Sequence, residues 1–155
     1  MKVDIGLNEK ARKTAAEALG KVLASTYLLA VKTQGFHWNV AGPLFPQLHA
    51  QFGAQYEALA EASDEIAERI RALGHVAPGS FAQFGKLSAI EEQTGAPKAD
   101  KMIAELLADH ETLIRLARET KDIVEGVGDA ESGDMMVERM QEHGKTAWML
   151  RSQLA

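Results

Sequence analysis

The sequence of 155 residues contains no cysteine. Disulfides, thiolate nucleophiles, iron–sulfur clusters and thiolate zinc sites are therefore excluded. Proline is scarce: Pro43, Pro46, Pro78 and Pro97 are the whole set, so long stretches run without a helix breaker. No apolar run reaches the ~18 residues that a membrane span needs. The opening MKVDIGLNEKARK lacks the apolar core and small-residue cleavage site of a signal peptide. A cytoplasmic protein with no membrane partner is expected. Positive charge is not in excess either, with 17 Lys and Arg against 22 Asp and Glu, and a net charge of −5 argues against nucleic acid as the default partner. HExxH, EF-hand, GxSxG, Walker and GxGxxG patterns are missing. None of the five histidines has Glu three residues before it, so the Glu-x-x-His pairs that build a di-iron site inside one bundle are also missing. No repeat recurs at a 20–50-residue period.

What is present is a composition 46% hydrophobic and 25% charged, which fits one globular domain spanning 1–155. The prolines bound long segments rich in the helix formers Ala, Leu, Glu, Lys and Met. The first runs from about Asn8, a plausible N-cap, to Asn39, with Ala15, Leu19, Val22, Leu23, Leu29, Ala30 and Phe36 at helical steps. The second begins after Gly42-Pro43 and ends near Gly74; Phe45, Leu48, Phe52, Tyr56, Leu59, Ser63, Ile66, Ile70 and Leu73 form its seam. Pro46 fits only in its first turn. A long connection over 74–97 follows, with room for a short helix near Phe81–Phe84 or Ile90–Glu92. The third helix is expected from about Lys98 to Val127, and the fourth from a cap at Asp129 or Ser132. His110 and His143 fall on the seams of these two helices and read as satisfied core histidines. Two short connections and one long crossover give an all-α chain: a ferritin-like four-helix bundle whose crossover contains a short helix.

One constellation carries chemistry. His37 lies at the end of the first helix and His49 just inside the second, while Asp64 and Glu68 stand at i and i+4 on the second and share a face. Two imidazoles and two carboxylates suit Fe, Zn or Mn. His49 and Asp64 are 15 residues apart on one helix, ~22 Å at 1.5 Å per residue, whereas ligands lie ~2 Å from a metal. Either the groups are unrelated, or the histidines of one chain face the carboxylates of another across a two-fold axis.

The run Phe36-His37-Trp38-Asn39-Val40-x-Gly42-x-x-Phe45-x-x-Leu48-His49-x-x-Phe52-x-x-x-Tyr56, with Asp64-x-x-Ala67-Glu68-Arg69 and His143-x-Lys145-x-x-Trp148-Met149-Leu150-Arg151, resembles the Dps family of ferritin-like mini-ferritins over nearly the whole chain. The resemblance implies a hollow homododecamer with two-fold and three-fold interfaces. It implies a ferroxidase, an oxidoreductase that oxidises ferrous iron, preferentially with hydrogen peroxide, and stores the ferric mineral inside. By that resemblance His37 and His49 of one subunit and Asp64 and Glu68 of its neighbour bind the iron, and Trp38 sits beside the site as an auxiliary group. Acidic residues near the last turn would line an iron-entry pore, with Asp134 and Asp129 preferred and Glu125 next. Haem, as in bacterioferritin, is not expected despite Met135, Met136, Met140 and Met149, since Met is a common core filler.

Two departures from the pattern matter. Where the family commonly has Asp or Glu four residues after the second histidine, this sequence has Gly53; the second iron position loses a ligand, with Glu57 a substitute one turn on. Some members bind DNA through a lysine-rich N-terminal tail; here Met1 to Leu7 hold only Lys2, and DNA binding is expected to be weak or absent. The alternative reading is a nucleoid-associated, DNA-protecting protein with secondary iron chemistry.

Overall fold

Asn8 opens the first helix, its side chain accepting a hydrogen bond from the Ala11 amide at 2.9 Å, as expected for a residue that compensates an orphan N–H. The structure, a computed structural model, describes residues 3–155; Met1 and Lys2 lie outside the described residues. Five helices follow in order: α1 (Glu9–Asn39), α2 (Phe45–Ala72), α3 (Phe81–Leu87), α4 (Ala99–Gly126) and α5 (Ala130–Ser152). No strand occurs among the described residues. The short helix of the crossover is the one at Phe81, capped by Ser80; Ile90–Glu92 is not helical. Ser88 Oγ instead accepts the Ile90 amide at 2.9 Å, and Ile90 is buried against the core.

Helix α1 packs on α2 and α4, and α4 packs on α5. The four long helices bury two apolar clusters. Leu19, Leu23, Ile66, Ile70, Ala117 and Met136 form one end. Phe36, Leu48, Phe52, Leu106, Leu113 and Leu150 form the other. The seam expected on the second helix is buried from Leu59 to Leu73, and at Leu48 and Phe52. Its two departures, Phe45 and Tyr56, are both in contact with histidines, as described below.

Polar groups tie the bundle at fixed points. Lys32 and Asp109 pair at 2.7 Å between α1 and α4. Burial nevertheless raises the Asp109 pKa, against the opposing attraction of Lys32. Trp148 and Met149 of the C-terminal motif are exposed on the chain surface (62% and 44%). His110 and His143 are buried as expected and bond each other, but only through Nδ1; each Nε2 is without a partner.

Candidate metal centre

The turn from α1 to α2 is short because Val40 is extended and donates its amide to the Phe36 carbonyl, while Gly42 adopts φ 111°, a conformation that L side chains avoid. The reversal sets the last turn of α1 beside the first turns of α2. His37 Nδ1 meets the His49 carbonyl at 2.6 Å, and His49 Nδ1 meets the His37 carbonyl at 2.8 Å. The His37 carbonyl is one of the final four of α1, which have no partner within the helix. The two rings stack, with centroids 3.8 Å apart and planes at 17°.

This reciprocal arrangement fixes the chemistry of both imidazoles. A carbonyl only accepts, so each Nδ1 must carry the proton and donate it. In the neutral ring the lone pair then resides on Nε2. A histidine held by its Nδ1–H on a backbone carbonyl is the usual oriented metal ligand. Phe45 stacks on His49 at 5.2 Å and Tyr56 sets its edge on His37 at 5.4 Å, which explains why these two seam positions are not core.

Gly53 acquires a reason here. A Cβ built at residue 53 would lie 3.3 Å from both Cε1 and Nδ1 of His37. The missing side chain lets the His37 ring lie directly against α2. Read from sequence, Gly53 was only a lost carboxylate; its steric role needed the fold.

Asp64 and Glu68 are exposed on α2. Neither makes an ion pair or hydrogen bond among the described residues; the neighbouring Glu65 and Arg69 take the pairing roles, with Arg139 and with Asp129 and Glu131. The axial separation of ~22 Å from His49 to Asp64 stands, because α2 runs unbroken from Phe45 to Ala72. Among the described residues no three His, Asp or Glu side chains converge on one point. The chain thus presents an imidazole half-site and a carboxylate half-site that it does not bring together. Glu57 is exposed one turn beyond Gly53. Trp38, beside His37, is 66% exposed and lines a cavity of about 430 Å³ with Tyr27, Val31, Phe81 and Phe84.

The acidic residues of the α4–α5 turn divide. Asp129 is fully buried. It caps α5 by accepting from the Ser132 amide at 3.1 Å and the Ser132 hydroxyl at 2.6 Å, and it pairs with Arg69 of α2. The expectation that Asp129 faces a pore is corrected: its carboxylate is engaged inside the chain. Glu125 is exposed and pairs with Lys121 at 2.6 Å. Asp134 is exposed and lines a shallow groove together with Glu68, Glu65 and Glu138, so a pore candidate and a ligand candidate share one surface.

A family model described as a ferritin-like domain matches residues 16–155. A low temperature-induced protein of Nostoc sp. is 41% identical over 153 residues, covering 97% of this chain and 86% of that protein. DNA protection during starvation protein 2 of Bacillus anthracis is 32% identical over 140 residues, covering 90% of this chain and 96% of that protein. Among solved structures, the Dps protein of Vibrio cholerae, described as a member of a superfamily of ferritin-like diiron-carboxylate proteins, superposes with a TM-score of 0.94 at 29% identity, covering 100% of this chain and 98% of that one. The chain belongs to the ferritin-like domain family and, within it, to the Dps proteins.

Proposed function

We propose that this Dps-family chain is a ferroxidase and iron store, with ferrous iron as substrate bound between two subunits. The observation that carries the reading is the reciprocal His37–His49 pair. It orients two imidazoles by their Nδ1 atoms and leaves both Nε2 atoms outside those bonds, and Asp64 and Glu68 further along α2 have no ion-pair or hydrogen-bond partner among the described residues. Asp64 and Glu68 of the partner subunit complete the set, and a two-fold axis makes the arrangement twice per dimer. Imidazole and carboxylate together suit ferrous iron, and the two carboxylates offset the ion's charge.

The oxidant is hydrogen peroxide. Two ferrous ions give up one electron each, the peroxide O–O bond breaks, and two waters form with uptake of two protons. Taking both electrons together avoids the hydroxyl radical that a one-electron step releases. Because Gly53 supplies no carboxylate, the second iron is the weaker one, and Glu57 is its candidate ligand. Trp38 is placed to intercept a stray radical. The ferric product is stored in the cavity of a twelve-subunit shell in the cytoplasm, and Asp134 and Glu125 belong to the entry route. No observation in the structure favours the DNA-protecting alternative over this reading: the net charge of −5 weakens attraction to a polyanion.

Complementation tests the shared site. His49→Ala and Asp64→Ala should each abolish ordered iron binding. A mixed assembly should regain one site of two wherever unlike subunits pair, because one interface site combines both damaged halves and the other combines both intact halves. Peroxide-dependent iron oxidation should rise to that statistical fraction. If activity stays at the sum of the separate mutants, with mixing confirmed by mass spectrometry, the shared site is wrong.

A further inference from the structure

Arg69 follows Glu68 on α2, and both line one shallow groove in which Arg69 is the only basic side chain. A guanidinium is a strong partner for any carboxylate it can reach, since it joins a full charge to a fork of N–H donors. Glu68 nonetheless stays unpaired, because the fork of Arg69 is engaged elsewhere. Its Nε donates to Ser132 Oγ at 2.9 Å, and its terminal nitrogen pairs with Asp129 and lies 3.5 Å from Glu131. The Arg69 side chain is 15% exposed and that of Asp129 fully buried. Glu65, one turn before Arg69 on α2, faces Arg139 at 3.9 Å instead. Both arginines near the carboxylate half-site are thus committed to acids other than Asp64 and Glu68.

The cap of α5 prepares the place where Arg69 docks. Asp129 Oδ1 accepts the Ser132 amide at 3.1 Å, and Oδ2 accepts the Ser132 hydroxyl at 2.6 Å. The serine proton is spent on Asp129, which leaves the Oγ lone pairs to accept from Arg69. Asp129 and Glu131 together set two carboxylates against one guanidinium, so its charge is offset at the start of α5. The consequence falls on the half-site. Adjacent residues of a helix stand well inside the ~10 Å screening length of 0.1 M salt. An unoffset guanidinium at residue 69 would therefore repel a dication approaching Glu68, and would compete with it for the same oxygens.

We propose, on the reading that Asp64 and Glu68 are ligands, that Asp129 is a positioning residue of the inter-subunit centre: it sequesters Arg69 and so keeps Glu68 free for the ion. Asp129 never touches the metal. It acts from inside the chain, through the direction in which it holds one neighbouring cation.

Zn²⁺ titration of the assembled protein by calorimetry, at pH 7 and low ionic strength, tests it. The binding that His49→Ala removes defines the inter-subunit site. Asp129→Asn keeps the cap, since Asn caps as well as Asp, and deletes the charge. It should weaken that binding roughly fivefold or more, with the loss shrinking as salt is raised. Asp129→Asn/Arg69→Met, which removes the cation as well, should return the affinity to within about twofold of wild type. A merely structural role predicts the reverse, because losing the remaining bonds of Arg69 adds to the damage. Glu131→Gln, at a side chain 74% exposed, should weaken binding about twofold and covers the case in which Asp129→Asn fails to assemble. The proposal is overturned, with the shared site left standing, if Asp129→Asn binds as wild type does or if the double variant binds no tighter than Asp129→Asn. Where Asp129→Asn does not assemble, an unchanged affinity in Glu131→Gln overturns it. A wild type with no His49-dependent Zn²⁺ binding refutes the shared site itself, and this role with it.

Discussion

The buried histidine pair should make the fold sensitive to mild acid. His110 and His143 titrate near 6.5 when unfolded and are held at about 3 and about 4 in the native chain. The unfolded chain therefore takes up protons that the native chain refuses, and stability falls as pH drops from about 6.5 toward about 4. At pH 5 the solution lies about 1.5 units below the ordinary histidine value of the unfolded rings, which at ~1.4 kcal/mol per unit is ~2 kcal/mol for each ring. At pH 7 the same contribution is only a few tenths of a kcal/mol. Two rings give up to ~4 kcal/mol between pH 7 and pH 5. Asp109 has the opposite sign: its raised pKa makes the native chain take up a proton more readily than the unfolded one. The carboxylates Glu61, Glu65, Glu138 and Glu142 and the cation Arg139 also lie near the pair. Wild type is therefore compared with His110→Gln/His143→Gln, in which those groups remain. Chemical denaturation with a metal chelator, at matched protein concentration, should show wild type losing ~2–4 kcal/mol more than the variant between pH 7 and pH 5. Equal losses, within about 0.5 kcal/mol, would refute the claim that these rings are held neutral.

Three substitutions probe other points. Gly53→Ala should leave the melting temperature unchanged or raise it, since Ala gains up to ~1 kcal/mol in helix propensity. It should nonetheless slow iron oxidation several-fold, because its Cβ must displace the His37 ring from 3.3 Å; an unchanged rate counts against the steric role. Asp129→Ala should destabilise the chain by ~1–2 kcal/mol, the cost of losing an N-cap at α5 together with one of the two carboxylates that face Arg69, and thermal unfolding reads it. Lys32→Met should cost ~2 kcal/mol at pH 7, because Asp109 then stays buried without its cation. That cost should shrink as the pH is lowered and Asp109, whose pKa is already raised by burial, takes up a proton.

The helical architecture was legible because apolar period and punctuation agree. Leu59, Ile66, Ile70 and Leu73 repeat at bundle spacing and are buried, and Asn8 caps as its chemistry dictates. His37, His49, Asp64 and Glu68 stand out by spacing and by the family resemblance, their role as one ligand set is a proposal, and the rise per residue already separated them into two halves. The reciprocal carbonyl bonds of the histidines were not legible, since they depend on how closely the turn at Gly42 brings two helix ends together. Asp129 was legible as a cap of the last helix, but its pore role was misread, because a sequence shows a cluster of acids near a turn without saying which one turns inward to meet Arg69. The His110–His143 bond was hidden for a related reason. Seam periodicity places each ring in the core, but their meeting depends on the register of α4 against α5.

Helix α2 explains why the proposed chemistry depends on assembly. It carries His49 near its start and Asp64 and Glu68 far along the same helix, which is continuous from Phe45 to Ala72. A single chain offers an ion two imidazoles at one place and two carboxylates at another. The imidazoles alone bring no charge to offset a dication, and the carboxylates alone bring exposed oxygens that water competes for. Each half is a weak site; joined across a two-fold axis they make a strong one. In the proposed reading, the continuity of this helix would tie iron oxidation to an assembly of subunits rather than to the lone chain. If the four residues are the ligand set as proposed, a lone chain holds only half of it at either place.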